Sequence, residues 1–378
     1  MVALSGHAYP WDVIGDPAFP GRVRDLGLES VTLAAAYHST RAATPLHPRH
    51  QLVDAPYAAF YRPVTDSEWL GRRLRPAAPQ WMDDDDPFGV AATRLVEHGI
   101  AVTAWIVLTH STRLGSAFSD IAVVSCFDET YRYALCPSHP EVRDYAARLA
   151  AAAVRDAPLA GISLEACGQM GLTHLSHHEK TDGVWTAEAV RWLSVCCCAP
   201  CRQAWTADGL DPDEVTAALR AAVRGEATGR PAPPADKLAE SLLGVRHAAT
   251  DALREQVLAA VRAQAPGVPV TLHAHPDPWA TGASPGLTPT AAGDVAALLV
   301  PAWPTNQATV DVVAGAITAG TPVEAYVTVL PPADPGQVVD HARRLVSAGA
   351  RGLGLYHLGL ASHRGQRLLA EIVSAARE

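Results

Sequence analysis

Eight apolar runs of strand length, alternating with helical patterns from end to end, constrain this chain more than any other feature. The runs are ALSGHAY (3–9), ESVTLAAAY (29–37), IAVTAWIVLTH (100–110), LAGISLEACG (159–168), PVTLHAH (269–275), DVAALLVPAW (294–303), VEAYVTVL (323–330) and RGLGLYHLGL (351–360). Between or after them lie helical patterns such as FPGRVRDLG, DPFGVAATRLVEHG, HPEVRDYAARLAAAAVRDA and RGQRLLAEIVSAARE. Strands alternating with helices argue for parallel βαβ units. Eight such units predict an α/β protein of the (β/α)8 TIM-barrel class. A doubly wound open sheet is the structural alternative, disfavoured because no Gly-rich phosphate loop follows the first run. The 378 residues would suit roughly two to three domains by length alone, but barrels absorb this length as one. The expectation is therefore a single barrel over 1–378, with a helical insertion after strand 4 at about 186–265. APCRQ, GLDPDE and GRPAPPAD break that insertion. Ahead of the fourth strand, Ser138-His139-Pro140-Glu141 matches a capping box with proline in the first turn.

The formal charge of −9 disfavours nucleic acid and anionic membrane as partners. No apolar stretch approaches the roughly 18 residues of a membrane span. The N-terminus lacks the basic and apolar regions of a signal peptide, so a cytoplasmic protein is expected. The expected partner is a small carbohydrate-like molecule. Self-association into a homo-oligomer stays open.

In barrels the active site lies at the C-terminal strand ends. Reading those ends collects His7, Tyr9, Trp11 and Asp12, then Tyr37 and His38, then Trp105, Thr109 and His110. Further round come Glu165, His273, His275, Asp277, Trp303, Tyr326, Thr328, Tyr356 and His357. Trp and Tyr offer flat apolar faces with polar edges, which suits sugar-like ligands. Packing beneath loops is the competing explanation for each one taken singly.

Glu165 ends an apolar strand, where a carboxylate is costly unless paired or functional. It is the leading catalytic candidate. Candidates for a second carboxylate are Glu324, near the start of strand 7, Asp12 and Asp277. His273 and His275 fall on one face of strand 5 by alternation. Two such imidazoles can bind metal or hydrogen-bond hydroxyls, so a metal-dependent lyase, isomerase or hydrolase built on the His ring is an alternative. A non-catalytic sugar-binding barrel is a third reading.

The loop GQMGLTHLSHHEKTDG follows Glu165. Its His178 and Lys180 are candidate substrate contacts in a lid or wall, against the reading of a solvated polar loop. Only Lys180 and Lys237 are lysines in this Arg-rich chain. Further on, Cys196, Cys198 and Cys201 form C-x-C-x-x-C, three thiolates for a structural zinc with a nearby His or Cys167 as fourth ligand. Buried free thiols are the competing reading. No cofactor is required by this reading, and zinc is the metal these cysteines would take.

Residues 135–201, with LCPSHPEVRDYAARLAAAAVRDAPLAGISLEACG, HLSHHEK and CCCAPC, resemble hypothetical glycoside-hydrolase-like TIM-barrel families. The shared elements are a CPxxPxVRxY helix start, a DGIxLE-like fourth strand and C-x-C-x-x-C. Ala160 stands where the pattern has Asp, and Glu165 is kept. The resemblance implies a sugar-processing barrel related in architecture to retaining glycosidases, with Glu165 at the acid/base position. It also implies a nucleophile at the end of strand 7, where Glu324 comes too early. The expected function is a glycosidase-like enzyme acting on a small glycoside or sugar-like compound. Glu165 would be the acid, and Glu324 or Asp12 its partner. His7, Tyr9, Tyr37, His38, Trp105, His178, Lys180, His273, His275, Trp303, Tyr326 and His357 would contact substrate.

Overall fold

A computed structural model describes residues 2–174, 179–181 and 183–378. Eight parallel strands close into a barrel: β1 (Ala3–Ala8), β2 (Ser30–Tyr37), β3 (Ala101–Val107), β4 (Gly161–Glu165), β5 (Val270–His273), β6 (Ala297–Pro301), β7 (Val323–Thr328) and β8 (Gly352–Tyr356). Neighbours in sequence are neighbours in space, and β8 pairs with β1 to complete the ring. A helix follows each strand: α1 (Phe19–Asp25), α2 (Pro87–Glu97), α3 (Pro140–Val154), α4 (Asp236–Gln264), the single turn α5 (Ala291–Asp294), α6 (Gln307–Ile317), α7 (Val338–Ser347) and α8 (His363–Arg377). All eight expected strands form, and the barrel is the expected class.

Local chemistry explains the helix starts. Asp86 caps α2, accepting from the Gly89 N–H at 2.9 Å, with Pro87 in the first turn. Asn306 caps α6 in the same way. The capping box expected for α3 does not form. The N-cap residue is His139, without a side-chain cap, and Pro140 leads the first turn. The Ser138 hydroxyl instead lies 3.1 Å from the Cys201 sulfur, and Glu141 takes Arg73 at 2.6 Å. A tertiary partner has won over the local one.

Between β4 and α4 come helices Ala187–Leu193, Ala199–Ala207 and Pro212–Ala227. Trp192, Trp205, Val215, Leu219 and Leu242 form a second apolar cluster beside the barrel core. Two antiparallel hairpins, Thr40–Ala43 with Leu52–Ala55 and Ala122–Val124 with Thr130–Leu135, occupy segments without a clear periodic signal. No helix among the described residues is long and apolar enough to cross a membrane.

Strand alternation sorts the barrel interior into layers. Ser5, Ser30, Thr32, Thr103, Ser163, Thr271 and Glu324 surround a cavity of about 120 Å³ towards the N-terminal ends of the strands. One layer above, towards the C-terminal ends, come Trp105, Glu165, His273, Tyr326 and Tyr356. A polar floor beneath an aromatic layer is unusual for barrels, whose interior layers are dominated by branched apolar residues.

Candidate active site

Glu165 is the last residue of β4 and is 4% exposed. Its Oε2 accepts the indole N–H of Trp105 at 2.8 Å. Trp105 lies on β3, which pairs with β4 in a register that sets Trp105 beside Ser163. The His273 Nδ1 sits 3.7 Å from the same carboxylate oxygen, beyond hydrogen-bond range. Burial raises the Glu165 carboxyl to about 7, and the Trp105 hydrogen bond opposes this. His273 is lowered to about 3 by burial. Near neutral pH the site therefore holds a neutral imidazole beside a carboxyl poised between its two forms.

Ser163, two residues earlier on β4 and so on the same face, lies 3.0 Å from His273 Nε2. That contact orients the ring. Strand alternation puts Ser163 on the Glu165 face, but a serine in a strand carries no signal of its own.

The rest of the layer packs ring against ring. His7 contacts Trp105 and Tyr326 with centroids 4.9 and 4.5 Å apart. Tyr9 stacks on His357 at 4.2 Å and lies 5.0 Å from Tyr37. Trp303 stacks on Tyr356 at 5.0 Å. Gly354 on β8 leaves the space this requires: a Cβ there would stand 3.3 Å from His7 and 3.4 Å from Tyr326. Several buried polar atoms of this layer have no protein partner, among them Tyr326 Oη, His273 Nδ1, His357 Nε2 and Trp303 Nε1. Buried polar groups are normally hydrogen-bonded, so a cluster of unpaired ones marks a place for hydroxyls of water or ligand.

Asp12 belongs to a short turn of helix, Pro10–Val13, that follows β1. Its Oδ2 accepts the Tyr9 N–H at 2.8 Å and lies 3.7 Å from His357 Nδ1; its Oδ1 is buried without a partner. Burial raises Asp12 to about 7, opposed by the Tyr9 N–H and by Arg22. Tyr356 connects the two carboxyls electrostatically. Its hydroxyl is raised first by burial, and the charges of Glu165 and Asp12 add to that. Gly359 packs directly on the Asp12 carboxyl, where a Cβ would fall 2.1 Å from Cγ.

Other expected residues fall elsewhere. Glu324, at the second position of β7, lines the floor cavity with Ser5 and Thr271, while Tyr326 reaches the upper layer. The strand rise separates Glu324 from the mouth, so the barrel does not bring it to Glu165. His275 lies beyond the end of β5, and its Nδ1 accepts the Asp277 N–H at 3.0 Å. It does not share a site with His273. Asp277 caps the same turn through the Trp279 N–H. Lys180 is exposed, and His178 lies outside the described residues. His38 is at the rim, where its ring stacks on Tyr37 and His110 and its Nδ1 lies 2.7 Å from the Ser39 carbonyl. Among the described residues the rim histidines do not converge as metal ligands. The group that does converge is Cys136, Cys196, Cys198 and Cys201.

No family model and no curated protein matches this sequence. Solved structures do. The glycoside hydrolase domain of PgaB (BpsB) from Bordetella bronchiseptica aligns over 99% of each chain, at 16% identity and a TM-score of 0.62. The catalytic domain of a β-amylase from Paenibacillus polymyxa aligns over 96% of this chain and 94% of its own, at 12% identity and a TM-score of 0.58. This chain resembles the glycoside-hydrolase barrels. α-L-Fucosidase isoenzyme 2 from Paenibacillus thiaminolyticus agrees, with 100% of this chain matched at 15% identity and a TM-score of 0.59. This chain spans about half of that fucosidase, 49% of its length. At such identities the likeness establishes the barrel, and the chemistry rests on the residues above.

Proposed function

We propose that this barrel is a glycosidase-like enzyme acting on a small glycoside or sugar-like compound, with Glu165 as its general acid. The observation that carries this reading is the carboxyl of Glu165, buried at the C-terminal end of β4, raised to about 7 and surrounded by buried polar atoms without protein partners. A carboxylic acid that keeps its proton near neutral pH can deliver it to a departing glycosidic oxygen. Trp105 fixes the carboxyl through the bond to Oε2, leaving Oε1 for the substrate. Aromatic faces of Tyr9, Tyr37, Trp303 and Tyr326 would cover sugar C–H surfaces, while the unpaired atoms of Tyr326, His273, His357 and Trp303 would take hydroxyls.

Asp12 is the second carboxylate, as nucleophile or as base for water, since Glu324 belongs to the floor. As the glycosidic C–O bond breaks, its electron pair stays on the leaving oxygen, which takes the Glu165 proton. The anomeric carbon is met by Asp12 or by water that Asp12 deprotonates.

The test uses alkyl glycosides as probes, whose leaving oxygen needs the proton. Glu165→Gln should lower kcat by about 10²–10⁴-fold while the protein stays folded. Asp12→Asn keeps the cap to Tyr9 and should lose turnover; azide rescue of Asp12→Gly with a glycosyl azide product would mark Asp12 as nucleophile. A folded Glu165→Gln protein with wild-type turnover would exclude the acid role. Sugar binding without turnover in the wild type would favour a binding barrel.

A further inference from the structure

We propose that Cys136, Cys196, Cys198 and Cys201 hold one zinc ion, which ties the segment after β4 to the hairpin ahead of α3. The four sulfurs lie within 4.8 Å of one another, and all four residues are buried. Cys136 Sγ is 3.6 Å from Cys201 Sγ and 3.7 Å from Cys198 Sγ. Four thiolates around zinc at about 2.3 Å place their sulfurs about 3.8 Å apart in a regular tetrahedron. A disulfide would need about 2.05 Å, and every cysteine described is free. The spacing thus fits a shared cation and not a covalent pair. Four thiols and no nitrogen or oxygen ligand select a soft cation.

The surroundings are those of a charged thiolate cluster. The Val124 N–H donates to Cys196 Sγ at 3.4 Å, and the Ser138 hydroxyl lies 3.1 Å from Cys201 Sγ. Such outer contacts orient and stabilise metal ligands. Zinc with four thiolates carries a net charge of about −2, which must be offset when buried. Arg246, 6% exposed, is the nearby cation; burial disfavours its charge, and Cys201, Cys196, Cys136 and Asp277 oppose that. Among the described residues Arg246 forms no salt bridge with a carboxylate; its guanidinium donates to the Ser194 carbonyl at 3.0 Å. A buried arginine close to three of the four cysteines would offset part of the negative charge of a metal–thiolate centre.

The remaining cysteines stand apart. Cys197 joins the second apolar cluster, with its sulfur 3.7 Å from the Val195 carbonyl. Cys167 lies elsewhere, near Arg254, so the fourth ligand is Cys136. The centre braces the wall beside Glu165. Ser194, two residues before Cys196, accepts the Leu172 N–H at 3.0 Å. The Tyr133 hydroxyl, on the hairpin that leads to Cys136, lies 2.8 and 2.7 Å from the Gly171 and Leu172 carbonyls.

The full chain, purified without added metal or chelator, should contain one zinc per chain. A mercurial reagent should release that zinc as four thiols are modified. Cobalt replacing the zinc should give the strong thiolate charge-transfer and tetrahedral ligand-field bands of a four-sulfur site. Cys136→Ser should weaken zinc retention at least tenfold and lower Tm, whereas Cys167→Ser should keep one zinc. Should Cys136→Ser fail to fold, the cobalt spectrum of the wild type decides. A spectrum lacking four-thiolate character, no zinc after growth in zinc-replete medium, iron in its place, or zinc lost from Cys167→Ser but kept in Cys136→Ser would each overturn the proposal.

Discussion

Two hydrogen-bonding residues separate the account at the finest scale. Trp105 stabilises the ionised form of Glu165, since its N–H donates to Oε2. Trp105→Phe removes that bond, so the Glu165 pKa should rise above its present value of about 7. The basic limb of kcat/KM should then move to higher pH, which a pH–rate series on an alkyl glycoside would register. Tyr326 makes the opposite kind of test. Its buried hydroxyl has no protein partner, so Tyr326→Phe should leave Tm unchanged or slightly higher, because leaving such a group unpaired costs about 1–3 kcal/mol. Sugar affinity should fall by roughly tenfold, the size of one lost hydrogen bond of about 1.4 kcal/mol. A large drop in Tm would mean the hydroxyl is structural. At this scale the sequence was informative about which residues approach the mouth. Glu165, Trp105, His273, Tyr326 and His357 were all legible from strand ends. Glu324 was placed near the start of its strand, and the structure puts it on the floor. What the sequence could not carry was pairing across strands, such as Trp105 with Glu165 or Ser163 with His273, because that depends on register.

At the scale of elements, the connections around the mouth depend on close packing at particular glycines. Gly359, in the loop after β8, leaves room for the Asp12 carboxyl, where a Cβ would come within 2.1 Å of Cγ. Gly359→Ala should displace Asp12 or the loop, cost about 1–3 kcal/mol, and reduce turnover. Chemical denaturation together with kcat would measure both. Helices with strong periodicity were readable: in α8 an apolar stripe and the Ser362 cap agree, and in α3 the stripe follows Pro140 in the first turn. The hairpin from Ala122 to Leu135 was not, since its pairing is short and irregular and its apolar residues do not alternate cleanly. That hairpin delivers Cys136, which explains why the fourth thiol escaped a reading based on local spacing. Ser138 shows the same limit: its motif favours a cap, yet Cys201 lies within reach only once the fold has formed.

Over the whole molecule, the barrel was the most legible property. Eight alternating units leave few ways to bury both faces of a parallel sheet. The barrel also buries many titratable groups towards its mouth, with consequences for stability. His7, His38, His110, His273 and His357 are all lowered by burial, His38 to about 4 and His273 and His357 to about 3. Between those values and the unfolded value of about 6.5, the unfolded chain binds more protons. Stability is therefore lost as pH falls through that window. Glu165 and Asp12 are raised to about 7, and Glu324 is raised as well, so as pH falls these carboxyls act in the opposite sense. Five such imidazoles outweigh three carboxyls, and Tm should fall between about pH 6.5 and pH 4. Calorimetry across that range checks it; a flat or rising Tm towards acid would show that the histidines are not held neutral.

The central claim is that Glu165 donates a proton to a glycosidic oxygen. It is tested most directly by comparing kcat/KM of the wild type and Glu165→Gln on alkyl and nitrophenyl glycosides across pH. A nitrophenolate leaves with little help, whereas an alkoxide needs the proton. The account predicts a loss of about 10²–10⁴-fold on alkyl glycosides, a much smaller loss on nitrophenyl glycosides, and disappearance of the basic limb near the Glu165 pKa of about 7. Equal losses on both substrate classes with the basic limb retained would contradict it.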